Sequence, residues 1–169
     1  MILVGLSLIP LFGTALARVL LARRKRECSL VPPLTPLHIA AGMGLPAVCK
    51  VLLESGAEVN AQTMDRKTPL ILACSDGAVA VVRILLAHGA AIETATTKGV
   101  TGLMIACDSA FSRLALLLID HGADTNASNY KGDTALMFAC KRGLVEVAMK
   151  LMDNGACITE KNKRGHSGH

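Results

Sequence analysis

Thr35-Pro36-Leu37-His38-Ile39-Ala40-Ala41 returns as Thr68-Pro69-Leu70-Ile71-Leu72-Ala73-Cys74. It returns again as Thr101-Gly102-Leu103-Met104-Ile105-Ala106-Cys107 and as Thr134-Ala135-Leu136-Met137-Phe138-Ala139-Cys140. Each copy begins 33 residues after the last. A second ladder keeps the same period: Gly56, Gly89, Gly122 and Gly155. Two independent ladders with one spacing mark a chain built from repeated units. Between them Val51-Leu52-Leu53-Glu54-Ser55-Gly56-Ala57 aligns with Ile84-Leu85-Leu86-Ala87-His88-Gly89-Ala90.

Each unit reads as two short helices and a polar hairpin. The first helix opens at the laddered Thr, a good N-cap, and two copies place Pro in its first turn. Paired small residues follow, as close approach between helices requires. The second helix carries apolar residues at helical spacing, as in Val48, Val51 and Leu52, and ends at the laddered Gly. One unit cannot bury its own apolar face, whereas stacked neighbours can, and four units exceed the roughly three needed for a stable stack.

The Thr-Pro-Leu-His motif, the paired Ala and the Leu-Leu-x-x-Gly-Ala signature resemble the ankyrin repeat family. The resemblance covers roughly residues 31–162. It implies an all-α solenoid of helix-turn-helix units with hairpin loops, divided as 31–63, 64–96, 97–129 and 130–162. Lys163-Arg164-Gly165-His166-Ser167 matches the opening of a repeat in outline, as if a fifth begins within residues 163–169.

The copies differ in places. Arg66 stands where repeats 3 and 4 have Gly99 and Gly132, and Ala110 stands where the others have Gly44, Gly77 and Gly143. Arg disfavours positive φ, so a distorted hairpin is expected at Arg66. Repeat 3 also lacks the Pro and His of the motif and is expected to be the least stable unit. In repeat 4, Val145, Val147, Ala148, Met149 and Leu151 are expected to face solvent in part, leaving that end uncapped.

Half of the 169 residues are hydrophobic, yet only Phe12, Phe111, Tyr130 and Phe138 are aromatic. A core of Leu, Ala, Val, Ile and Met suits close-packed helices. The net charge of +5 resides at the chain ends: residues 35–160 hold 10 basic and 12 acidic side chains. No basic stripe runs along the body, which argues against nucleic acid as a partner.

Residues 1–30 combine an apolar stretch with the cluster Arg23-Arg24-Lys25-Arg26. Residues 1–22 have the length of a membrane-spanning anchor, for which about 20 apolar residues suffice. The basic cluster would then stay in the cytosol and leave the repeats at its face of the membrane. Ala15-Leu16-Ala17-Arg18-Val19-Leu20-Leu21 also resembles Ala47-Val48-Cys49-Lys50-Val51-Leu52-Leu53, which fits a degenerate repeat capping the stack. A cleaved export signal is the third reading, opposed by the basic residues that follow it.

Chemistry-bearing residues resolve into structural positions. Cys74, Cys107 and Cys140 share one ladder, where neighbouring helices about 8–10 Å apart hold thiols too distant for a disulfide or shared metal. They read as small buried apolar residues, and Cys49 falls at a packing position too. Unpaired thiols suit a reducing, cytoplasmic compartment. His88 and His121 precede the laddered glycines, where imidazole engages the last carbonyls of a helix. The family resemblance implies that His38 ties hairpin to helix, and it suggests hydroxylation of Asn60 and Asn126, for which a buried turn-stabilising role is the simpler account. No catalytic triad order, phosphate loop or metal-ligand spacing occurs in the sequence, so no catalytic, cofactor or metal residue and no small-molecule substrate is assigned.

In ankyrin-like stacks the hairpin tips and the exposed side of the first helices form a groove. Carried over by position, the helix contribution is Met43, Ser75, Asp76, Asp108, Ser109, Lys141 and Arg142. The hairpin contribution is Met64, Asp65, Thr97, Lys98, Tyr130 and Lys131. Tyr130 and Arg142 stand out as anchors, since these residue types dominate interface energies. The reading is a non-catalytic module that binds a protein partner. The alternative is a regulatory or targeting part of a larger multidomain enzyme.

Overall fold

The computed structural model describes residues 34–158 and Asn162. The expectations for residues 1–30 and for the stub at 163–169 lie outside these residues. Among the described residues eight α-helices alternate between two layers. The inner layer holds α1 (Pro36–Gly42), α3 (Pro69–Asp76), α5 (Gly102–Asp108) and α7 (Ala135–Arg142). The outer layer holds α2 (Pro46–Glu54), α4 (Val79–Ala87), α6 (Ser112–Asp120) and α8 (Val145–Asp153). Each helix packs on its partner in the repeat and on the equivalent helix of the next repeat, which makes an all-α solenoid.

The sequence ladders map onto the ends of the helices. Thr35, Thr68, Thr101 and Thr134 are the N-caps of the inner helices, and each hydroxyl accepts from the backbone N–H three residues on. The Gly-Ala pairs end the outer helices. Gly56 N–H donates to the Leu53 carbonyl and Ala57 N–H to the Leu52 carbonyl, closing a Schellman motif. The same pair of bonds recurs at residues 89–90, 122–123 and 155–156. Among the described residues the hairpins carry only isolated bridges, Ala95 to Thr101 and Ser128 to Thr134.

His38 does what the motif implies. Its buried ring receives the Thr35 N–H at Nδ1 (3.2 Å) and donates from Nε2 to the Lys67 carbonyl (3.0 Å), joining α1 to the next hairpin. Asn60 and Asn126 also bridge repeats. Each amide donates to the carbonyl of the following ladder glycine, Gly89 or Gly155, and accepts from the backbone two residues beyond it. Glu93 occupies the equivalent position in repeat 2 and keeps only the accepting half, from Asp124 N–H. His88 and His121 reach back to the Ile84 and Leu117 carbonyls at 2.8 and 2.9 Å.

Three expectations need correction. The hairpin at Arg66 is preserved: Arg66 takes φ +58° and its N–H meets the Thr63 carbonyl at 2.8 Å, as Gly99 meets Thr96 and Gly132 meets Asn129. The turn geometry, fixed by its neighbours, overrides the preference of the Arg backbone, and Ala110 is forced to φ +60° in the same way. Val147 and Leu151 are fully buried, because residues four apart on α8 share the stripe that faces the stack. The solvent face of α8 is formed by Val145, Met149 and Met152 instead. Cys140 is exposed, although Cys74 and Cys107 at the same ladder position are fully buried. The thiol of Cys74 is covered by α5, so closely that a Cβ on Gly102 would stand 3.0 Å from its sulfur. Among the described residues no helix stacks on α7 in this way.

Candidate functional site

Inner helices of seven or eight residues cannot turn every apolar side chain inward. In α1, Leu37, His38, Ala40 and Ala41 are buried, which rotates Ile39 to the opposite side. The ladder that includes Ile39 therefore surfaces on the inner face as Ile39, Leu72, Ile105 and Phe138, exposed in the first copy and half-buried in the other three. Sequence reasoning missed this row because it absorbed the four residues into the framework motif. The signal was present, since five consecutive apolar positions in a short helix exceed one buried stripe.

The hairpin tips stand beside this row and are tied to one another. Thr97 N–H donates to the Asp65 carbonyl (3.0 Å), and Tyr130 N–H donates to the Lys98 carbonyl (3.1 Å). Gly99 makes room for the next tip. With φ +74° and no side chain, it lies under the Tyr130 ring, where a Cβ would sit 3.0 Å from ring carbon Cδ1. Tyr130 is nevertheless 64% exposed, an aromatic held in place and open to solvent.

Between the tips and helices of repeats 3 and 4 lies a cleft of about 850 Å³. It gathers six of the residues assigned from sequence: Lys98, Asp108, Ser109, Tyr130, Lys131 and Lys141. Its apolar wall comes from Ile105 and Phe138, with Met104 and Met137 beside them. Met43, Met64, Asp65, Ser75, Asp76 and Thr97 lie outside this cleft, exposed along the rest of the same row of tips and helix ends.

The charges of the cleft are unequally engaged. Asp108 is paired with Arg142, whose Nη2 stands 2.9 Å and Nε 3.3 Å from the same carboxylate oxygen. The pair spans α5 and α7, so Arg142 is a clamp between repeats before it is an anchor for anything else. Asp133 accepts from Asn129 on one oxygen (3.3 Å) and from Asn162 on the other (2.6 Å). Lys98, Lys131 and Lys141 make no ion pair with any described residue.

The buried thiols stand apart from this face. Burial pushes the Cys74 and Cys107 thiols up to about 12, and Cys49 to about 11 against a small opposing backbone hydrogen bond. Such thiols stay protonated and unreactive. Among the described residues no three His, Cys, Asp or Glu side chains converge as a metal site, and no helix is long and apolar enough to cross a membrane.

The family model described as ankyrin repeats (three copies) matches residues 12–97, 37–129 and 92–162 in overlapping registers. The matches span most of the chain, which therefore belongs to the ankyrin repeat family. Ankyrin repeats are generally protein-protein interaction modules. No curated protein matches the chain.

Proposed function

We propose that this chain is a non-catalytic module that binds a protein segment along its hairpin tips and inner helices, with no enzymatic step of its own. The observation that carries the reading is the apolar row from Ile39 to Phe138 running beside a row of tethered, solvent-open tips that include Met64 and Tyr130. Exposed apolar side chains that are held in place and rimmed by charge are what a recognition surface needs. The thirteen residues assigned from sequence form its rim, with Tyr130 the strongest anchor and Arg142 contributing through its pair with Asp108.

The test is site-specific photocrosslinking in cells. A crosslinking amino acid replaces Met64 or Tyr130 on the inner face, or Arg83 or Arg113 on the exposed side of the outer helices. Adducts confined to the inner pair are expected. Equal adducts from both faces would remove the assignment of the groove.

The family match beginning at residue 12 favours the repeat-like reading of the N-terminal segment over a membrane anchor. An alkaline carbonate wash of membranes decides it: release of the tagged chain supports a divergent first repeat, and retention in the pellet supports an anchor in residues 1–22.

A further inference from the structure

We infer that the cleft between repeats 3 and 4 takes a short acidic peptide segment bearing a large apolar side chain. The inference rests on the interaction-module reading and names the chemistry of the partner. Lys98, Lys131 and Lys141 come from two hairpins and a helix end, yet all three line one cleft. The acidic residues in the same lining are already engaged, Asp108 by Arg142 and Asp133 by Asn129 and Asn162. The Asn amides leave the charge of Asp133 in place, so three ammonium groups stand against one carboxylate without a cationic partner, and the surplus of positive charge favours carboxylates from outside.

The wall between them supplies the second half of the recognition. Ile105, Phe138 and Tyr130 offer apolar and aromatic surface where a leucine or phenylalanine of the peptide can sit. Position and charge select a peptide over a nucleic acid. The body of the chain is net negative, with 12 acidic against 10 basic residues between 35 and 160, so a long polyanion leaving the cleft meets repulsion. A short segment touches only the basic end of the groove. No described aromatic besides Tyr130 and Phe138 lines the cleft, which is too few for a ladder of stacked bases.

The experiment titrates the full chain with a labelled synthetic peptide, Glu-Glu-Glu-Leu-Phe-Glu-Glu-Glu, and follows binding by fluorescence polarisation. A counterpart with Lys replacing every Glu, a version with Gly-Gly replacing Leu-Phe, and an oligothymidylate of similar charge serve as comparisons. Three exposed ion pairs of ordinary strength together make a factor of roughly ten, so the acidic peptide should bind at least about tenfold tighter than its Lys counterpart. The preference should shrink as salt rises from about 50 to about 500 mM, because exposed pairs are screened. Loss of Leu-Phe should weaken binding further. Lys98→Glu with Lys141→Glu should abolish the preference, whereas Arg83→Glu with Arg113→Glu on the outer helices, with the same change in net charge, should preserve it. Thermal melts of both double variants establish that they are folded.

Equal affinity for the acidic and Lys peptides overturns the inference. So does equal loss in the outer-helix variant, which would reduce the effect to bulk charge, or tighter binding of the oligothymidylate, which would make the cleft a polyanion site. If the Lys peptide binds and Tyr130→Ala weakens it, the docking face stands and only the acidic partner falls. If no peptide binds and crosslinking also fails to favour the inner face, both readings fall.

Discussion

Repeats 3 and 4 carry nearly the same text and live in different surroundings. Ile119 and Met152 are equivalent positions near the ends of α6 and α8, yet Ile119 is 4% exposed and Met152 is 40% exposed. Cys107 and Cys140 diverge in the same sense. The motif specifies the shape of a unit, whereas burial is conferred by the unit that stacks on it. In a solenoid every repeat touches only its neighbours, so the same side chain is core in one copy and surface in the next.

The comparison breaks most sharply with truncation at the paired positions. Ile119→Ala should cost about 2–4 kcal/mol, the usual range for emptying a packed aliphatic site. Met152→Ala should cost under about 1 kcal/mol, since its side chain is already half in water. Urea melts of the two variants measure both. Equal losses would show that repeat 4 is covered by more than the described residues.

Thiol chemistry sharpens the same contrast. The folded state holds Cys74 and Cys107 protonated to about 12, against an ordinary thiol value of 9.0. A group whose folded value is raised favours folding below its unfolded value and loses that contribution as pH climbs toward the folded one. Stability should therefore fall between pH 9 and about 12, by about 1.4 kcal/mol per pH unit for each such thiol. Cys107→Ala with Cys74→Ala should flatten that slope in alkaline urea melts. Under native conditions, alkylation mapped by mass spectrometry should label Cys140 and Cys157 well before Cys74 and Cys107. Labelling of all four at one rate would mean that the stack opens as a whole.

A smaller effect concerns the junction between repeats 2 and 3. Glu93 accepts from the Asp124 N–H but has no N–H to give the next ladder carbonyl. Glu93→Asn should restore the two-way bridge seen at Asn60 and Asn126 and raise stability by about 0.5–1 kcal/mol.

An effect of similar size concerns backbone strain. Ala110 sits at φ +60°, where Gly stands in the other three repeats. Left-handed backbone costs a non-glycine residue about 1–2 kcal/mol, while Gly loosens the unfolded chain by about 0.4–1 kcal/mol. Ala110→Gly should therefore give a net gain of about 0.5–1 kcal/mol, read from the midpoint of a urea melt. A loss would show that the methyl group of Ala110 packs more favourably than its backbone suggests, and would count against repeat 3 as the weakest unit.

The sequence alone determined the period, the helix pairs and the way each helix starts and stops. These are local matters: a Thr hydroxyl reaches an N–H three residues away, and a Gly-Ala pair closes its own helix end. It also placed Lys98, Tyr130 and Lys141 on one face, since that follows from position within the repeat. Only the tertiary structure decided that Arg142 reaches back 34 residues to Asp108, that Phe138 and Ile105 turn outward, and that Cys140 lies open while Cys107 is sealed. Those outcomes depend on which helix lies against which. A repeated motif states that relation once for every copy, and the neighbours in space then make the copies different.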